Sequence, residues 1–301
     1  MKKIVGTRGS KLALTQTKWV ICELQKHHPD ITFEIEIIKT TGDRVQNKPL
    51  DKIGEKGLFT KEIEDKLLSG EIDLAVHSMK DMPSQLPNGL KFSYVPQRED
   101  ARDALILKQE YKSLEDLPYG AKIGTGSKRR KYQLLKHRPD LQIEPIRGNV
   151  DTRIRKMQEE GLDGIVLAAA GLHRMGLNEV ISCYLPVDIM IPSPSQGALA
   201  LEVREDDIET ESLLKPMHDQ ITEIQIKAER AFLNTINGGC HMPVGAYCIP
   251  CGEQITLHAL FGDEEGKQLI FMSMEGEASD AEKVGCELAN KMLKEVSGDA
   301  R

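Results

Sequence analysis

The sequence predicts an α/β protein in which two strand–helix units are followed by a smaller α+β domain. Three observations predict it. Short apolar or period-two runs alternate with amphipathic helical stretches through most of the 301 residues. A polar junction, "PQREDARDA", interrupts this alternation, and a second alternating unit follows it. From Ile208 onward the rhythm becomes helix, three strand runs and a closing helix. With 40% hydrophobic residues, a chain of 301 is long enough to fill the cores of two or three domains.

In order, "KKIVGTRGS" is a strand entering a glycine turn, and Ser10 caps a helix with Ala13, Thr17, Val20, Ile21 and Leu24 on one face, ending near "HHPD". "ITFEIEIIKT" sets Ile31, Phe33, Ile35 and Ile37 against Thr32, Glu34 and Glu36, the period of a half-buried strand. "TGDRVQNKPLDKIGEKG" is charged, glycine-punctuated and aperiodic, a loop. A helix from Thr60 to Ser69 precedes the apolar run "IDLAV", a buried strand that delivers "HSMKDMPSQLP" at its C-terminal end, where open α/β sheets bind ligands. The second unit contains strand and turn "AKIGTGS", helix "KRRKYQLLKH", strand "LQIEPI", helix "DTRIRKMQEEG" and buried strand "GIVLA". "PSPSQGALALEVRE" returns and ends in a strand. The last domain holds a helix through "IQIKAERAFLNTI", strands in "VGAYCI", "ITLHALF" and "LIFMSMEG", and the helix "AEKVGCELANKMLKEV". No internal repeat or low-complexity stretch is present.

A net charge of −7 argues against a general nucleic-acid binder. No stretch approaches the roughly 18 apolar residues of a membrane span, and "MKKIVGTRGSKLAL" breaks into charge and glycine, so the expected address is the cytoplasm, with no membrane partner. The six cysteines, Cys22, Cys183, Cys240, Cys248, Cys251 and Cys286, follow no framework and are expected as free thiols.

Basic residues cluster where helices start: Arg8, Arg129 and Arg130 after Ser127, Arg147 before Gly148, then Arg153 and Arg155. Helix N-termini and arginine forks both favour anions, and together they point to a polyanionic ligand, although any one arginine by itself reads more readily as a solvated surface charge. "GTGSKRR" lacks the spacing of a nucleotide-binding P-loop. In "HSMKDMP", Asp81 is placed to stabilise a cation or move a proton, or simply to satisfy turn N–H groups, and spacing alone leaves both open. His77 and Ser78, adjacent in the chain and without a nucleophile elbow, make a poor hydrolytic pair. "CIPC" lies between strand-like runs, which fits a hairpin better than a redox or zinc site. Cys240 alone sits in a glycine loop, "NGGCHMPVGAY", with little bulk between its sulfur and a neighbouring ligand.

Read together, "TRGSKLALTQT", "KGLFTKEIE", "DLAVHSMKDMP", "REDARDALI", "RRKYQLL", "RGNVDTR", "AAAGLHRMGL", "SQGALALE" and "ERAFLNTINGGCHMPVGAY" resemble the porphobilinogen deaminases, or hydroxymethylbilane synthases, from about residue 4 to the last helix. The resemblance implies two α/β domains of the type II periplasmic-binding-protein kind around a cleft, 1–98 with 192–212 and 99–191, and a third domain, 213–301, bearing the cofactor cysteine. It implies a dipyrromethane joined to Cys240 by a thioether. Four porphobilinogen molecules would add to it head to tail with loss of ammonia, and hydrolysis would release hydroxymethylbilane for haem biosynthesis. Asp81 takes the role of catalytic carboxylate and contacts the cofactor. Lys80, Ser127, Arg129, Arg130 and Arg147 join it at the cofactor, while Arg8, Ser10, Arg147, Arg153 and Arg174 bind substrate carboxylates. Lys52, Lys56 and Phe59 are expected in a lid. No metal is implied, and a monomer is expected. Two positions depart from the family pattern: Lys128 stands where leucine is usual, and "PSPS" replaces a proline-alanine-valine-glycine run before Gln196. The competing expectation is a non-enzymatic anion-binding protein of periplasmic type, for which neither a secretion signal nor a purpose for Cys240 is apparent. A member that has lost its activity is disfavoured because Asp81 and Cys240 are both present.

Overall fold

Residues 1–44, 59–83, 85–236 and 242–296 are described by a computed structural model. They divide into two units, Met1–Glu99 with Gly197–Glu223, and Asp100–Gln196 with Ile224–Arg301.

The first unit is built on β1 (Lys2–Arg8), β2 (Thr32–Ile38), β3 (Leu74–Ser78), β4 (Leu90–Phe92) and β10 (Leu199–Arg204), in the spatial order β2-β1-β3-β10-β4. β1 pairs in parallel with β2, from Lys2↔Thr32 to Arg8↔Ile38, and with β3 through Val5↔Leu74. β10 runs antiparallel to both of its neighbours. Alternation along β3 explains why "IDLAV" reads as continuously apolar: both of its faces are covered. Leu74 and Val76 join Val5, Val20, Leu24 and Leu201 beneath α1 (Lys11–His27), while Ala75 joins Ile38, Ile63, Leu67 and Ile72 beneath α3 (Lys61–Ser69). A one-turn helix, α2 (Thr41–Arg44), and α7 (Ile208–Leu214) complete the unit.

The first sheet of the second unit repeats this plan. It comprises β5 (Asp103–Leu107), β6 (Lys122–Gly124), β7 (Gln142–Glu144), β8 (Gly164–Ala168) and β9 (Cys183–Leu185), ordered β7-β6-β8-β5-β9. β6 is parallel to β7 and β8, and β5 is antiparallel to β8 and β9. Thus each sheet has three parallel strands, then one reversed strand, then an edge strand. The reversed strand comes last in the chain for the first sheet and first for the second. Val166 faces Leu134 of α4 (Lys128–His137), and Ile165 and Leu167 face Met157 of α5 (Val150–Glu159) and Leu172 of α6 (Ala169–Arg174).

The remaining sheet is an antiparallel meander, β11 (Gly245–Cys251), β12 (Gln254–Gly262) and β13 (Leu269–Glu277), covered on one face by α8 (Gln220–Ile236) and α9 (Ala281–Val296). Phe232, Ala246, Leu257, Leu288 and Met292 fill the space between sheet and helices. Cys248 is buried and Cys251 exposed on β11, three residues apart and hence on opposite faces of a strand, so "CIPC" is not a facing thiol pair.

The sequence reading omitted β4, β5, β9, α2, α6 and α7. Three-residue strands and helices of at most seven residues are too short to establish a period. β5, "DALIL", is buried on both faces and abuts the polar junction that hid it.

Close approach of α8 and α9 rests on Gly285, where a β-carbon would stand 2.3 Å from the Ala228 carbonyl oxygen and 2.9 Å from the Ala231 Cβ. Gly285→Val is therefore expected to destabilise this region by about 1–3 kcal/mol through overpacking. Differential scanning calorimetry would register a lowered transition, and an unchanged one would contradict this packing.

Candidate active site

In the first unit, the neighbouring parallel strands β1 and β3 end side by side. β1 ends at Arg8, and Ser10 caps α1 by accepting a hydrogen bond from the Ala13 amide at 3.2 Å. β3 ends at Ser78, whose Oγ accepts from Gln16 Nε2 of α1 at 3.0 Å. A single 3₁₀ turn, Met79–Asp81, follows, anchored by the buried Met79 side chain and by donation from the Met79 amide to the Ala198 carbonyl at 3.0 Å. This anchoring leaves Lys80 half-buried and Asp81 exposed. The structure thus gathers Arg8, Ser10, Lys80 and Asp81 at the C-terminal edge of two adjacent strands. Phe59 lies beneath Arg8, its ring centroid 4.2 Å from the guanidinium carbon. Lys52 and Lys56 lie outside the described residues, as does Cys240.

In the second unit, the same edge carries the other candidates. Ser127 caps α4 beyond β6, accepting from the Arg130 amide at 3.4 Å. Arg147 follows β7 and adjoins Gly148, whose φ of 121° only glycine adopts readily. Arg153, on α5, donates from Nε to the Gly148 carbonyl at 2.7 Å, which ties the helix to that turn. Arg174 is the last residue of α6, the helix that follows β8.

Arg129 and Arg130 are buried, with relative exposures of 5% and 6%. Both bind Asp103, the first residue of β5, which is fully buried. Arg129 Nη1 donates to Asp103 Oδ2 at 2.7 Å and to the Ile191 carbonyl at 2.7 Å. Arg130 donates to Asp103 Oδ1 from Nε at 3.0 Å and from Nη2 at 2.7 Å, and its Nη1 reaches the Val166 carbonyl at 3.0 Å. The Gln196 amide nitrogen completes the cluster at 3.0 Å from Asp103 Oδ1.

Burial by itself would raise the Asp103 pKa, but the Arg129 and Arg130 charges outweigh it and hold the carboxyl well below its ordinary range. Burial also pushes the Arg129 guanidinium below its usual value, and the neighbouring Arg130 charge adds to that push against the opposing attraction of Asp103. Two cations against one anion leave one positive charge in excess at the N-terminus of α4. Among the described residues, no other carboxylate lies within ion-pair distance of either arginine.

Sequence reasoning did not single out Asp103 or Gln196, although both stand in quoted motifs, "REDARDALI" and "SQGALALE". It also missed the partner of Lys128, whose ammonium lies 3.8 Å from the Glu264 carboxylate in the β12–β13 turn.

Two family models match, "porphobilinogen deaminase, dipyromethane cofactor binding domain" over residues 4–212 and "porphobilinogen deaminase, C-terminal domain" over 224–294. The chain belongs to the porphobilinogen deaminase family. It is 59% identical to the porphobilinogen deaminase of Clostridioides difficile strain 630, covering 98% of each chain. It is 56% identical to that of Clostridium novyi strain NT, covering 99% of this chain and all of the relative. Among solved structures it is similar to the arginine-specific periplasmic binding protein STM4351 of Salmonella typhimurium, with 14% identity over 74% of this chain and 93% of that one and a TM-score of 0.39, from which nothing about binding is drawn. Family membership makes the chain a transferase of tetrapyrrole biosynthesis with a dipyrromethane cofactor, and sets aside the non-enzymatic alternative. Among the described residues, no helix is long and apolar enough to cross a membrane.

Asp103 contributes stability above the ordinary carboxylate pKa of about 4, and that contribution is lost as pH falls through its lower folded value. Asp103→Asn is expected to cost about 3–5 kcal/mol at pH 7 by leaving two guanidiniums buried without an anion. Urea denaturation from pH 7 to pH 3 should find the difference from the parent constant down to about pH 4 and narrowing below it. A difference independent of pH would contradict the ion-pair account.

Proposed function

We propose that the dipyrromethane is attached through the Cys240 thiol, that Asp81 is the catalytic carboxylate, and that the arginines at the strand ends bind the carboxylates of cofactor and substrate. The observation that carries this reading is the excess positive charge of Arg129 and Arg130, two buried guanidiniums with a single carboxylate among the described residues. A buried cation without sufficient counter-charge is costly, and an acidic ligand relieves the cost. Dipyrromethane, whose pyrrole rings bear acetate and propionate groups, has the chemistry that these residues fit. When bound, it supplies a nucleophilic pyrrole carbon as primer for condensation.

This chain's own residues do the rest. Lys80, Ser127, Arg129, Arg130 and Arg147 would hold the cofactor, and Arg8, Ser10, Arg147, Arg153 and Arg174 would bind the carboxylates of porphobilinogen through charge-assisted hydrogen bonds. Asp81, exposed on a turn whose backbone is fixed by Met79, accepts hydrogen bonds from pyrrole N–H groups. Its negative charge offsets the positive charge that develops on the substrate ring as ammonia departs, and it then takes up a proton. Phe59 supports Arg8 from below.

The same reading divides the chain into 1–98 with 192–212, 99–191 and 213–301, supported by the three separate sheets. It describes a monomeric cytoplasmic enzyme that binds no nucleic acid, supported by a net charge of −7 and six cysteines without a disulfide framework.

Asp81→Asn removes the charge but keeps the shape. Steady-state assays should find kcat reduced about 10²–10³-fold, as expected for loss of a group aimed at developing charge. Because Asp81 is exposed, the melting temperature should stay at the parent value. Turnover within a few-fold of the parent would make Asp81 a turn residue only.

A further inference from the structure

The segment from Ile191 to Gln196 is held along its length by side chains and backbone of the second unit. At its start, the Ile191 amide donates to Gln133 Oε1 at 2.8 Å, and its carbonyl accepts from Arg129 Nη1 at 2.7 Å. In the middle, the Pro192 carbonyl accepts from the Ala246 amide of β11 at 3.0 Å. At its end, the Ser195 amide donates to Glu229 Oε2 of α8 at 2.6 Å, and Gln196 Nε2 reaches both the Ala101 carbonyl, at 2.7 Å, and Asp103, at 3.0 Å.

Ser195 is the one non-glycine residue with positive φ among the described residues, at 63°. A residue with a β-carbon adopts that conformation only when its surroundings compel it. Its hydroxyl does not compel it, since Ser195 Oγ is buried without a hydrogen-bond partner. Two bonds restrain it, from its own amide to Glu229 and from the Gln196 amide to the Ser193 carbonyl at 2.9 Å, and only the first reaches outside the turn. Glu229 is fully buried, and its second oxygen accepts from the Cys248 amide of β11 at 2.9 Å. One carboxylate therefore joins α8, β11 and the strained residue. In the sequence, α8 and β11 are the elements on either side of Cys240.

We propose that Glu229 is a positioning residue: by holding Ser195 in its left-handed conformation it aims Gln196 at Asp103, and so sets the Arg129–Arg130 pair against the two elements that flank the cofactor cysteine. The proposal rests on the assignment of that arginine pair to the cofactor's carboxylates. The departure from glycine at Ser195 gives it consequence, because a glycine would take the conformation unaided and a serine needs the bond.

The test is a rescue. Glu229→Gln retains the size of the side chain but turns one amide donor toward a backbone N–H. In the cofactor-bearing enzyme, kcat should fall about 10-fold or more, as expected when reacting groups are misplaced. Ser195→Gly in the Glu229→Gln background should return kcat to within about twofold of the parent, since the joint no longer needs the restraint. Should Glu229→Gln not accumulate as folded protein, Glu229→Asp, a shortened carboxylate, takes its place with the same outcomes. An unchanged kcat, with or without a lowered melting temperature, would make Glu229 a structural brace and overturn the proposal. So would a fall in kcat that Ser195→Gly does not repair. Arg129→Lys separates this from the underlying assignment: parent values of kcat, KM and cofactor loading by intact mass would remove the assignment itself. An impaired Arg129→Lys beside a normal Glu229→Gln would remove only the positioning role.

Discussion

The buried carboxylate of Asp103 is the constraint on which the second unit's part of the site depends. It lies at the start of a strand buried on both faces, and it draws Arg129 and Arg130 inward from the first turn of α4. An arginine pair at a helix N-terminus works against both the helix dipole and the desolvation of charge. Asp103 compensates in part, the Ile191 and Val166 carbonyls take up further arginine N–H groups, and Gln196 donates to the same carboxylate. The compensation stops one charge short. That shortfall turns a structural ion pair into a site with a standing preference for anions, which suits a ligand and a substrate that both carry carboxylates.

The first unit uses the same strand plan differently. Its parallel strands also deliver their C-terminal ends to one edge, but the residue presented there is an exposed acid, Asp81, beside Lys80. The turn carrying it is fixed from below by the buried Met79, by the Ala198 carbonyl, and by the His77–Glu202 contact at 3.0 Å between β3 and β10. Equivalent positions of two similar sheets thus present residues of opposite charge. That the sheets share an order without a sequence repeat reflects what the fold requires of them: covered parallel strands and short turns, satisfied by many apolar sequences.

Much of this was legible because it is local. The Ser10 cap and the buried face Thr17, Val20, Ile21 and Leu24 of α1 follow from spacing, and so does β3 as the strand that presents "HSMKD". What was not legible is non-local. Nothing near Arg129 in the chain reveals that its partner is Asp103, 26 residues earlier on a strand concealed by a polar junction. Nothing near Lys128 in the chain reveals that its ammonium lies beside Glu264 of the β12–β13 hairpin. The sequence marks Ser195 as a departure from the family's glycine, but only its φ of 63° shows the strain that follows. The roles of Asp81 and Cys240 came from the family resemblance, since residue chemistry alone left a turn aspartate and a buried loop thiol as equal alternatives.

The account turns on one covalent bond, between the dipyrromethane and the sulfur of Cys240. Purified protein, digested under denaturing conditions and mapped by tandem mass spectrometry, tests it most directly. The account predicts the added mass of a dipyrromethane on the peptide containing Cys240, with the peptides containing Cys22, Cys183, Cys248, Cys251 and Cys286 unmodified. An unmodified Cys240 in active enzyme, or the same mass on any other cysteine, would contradict it.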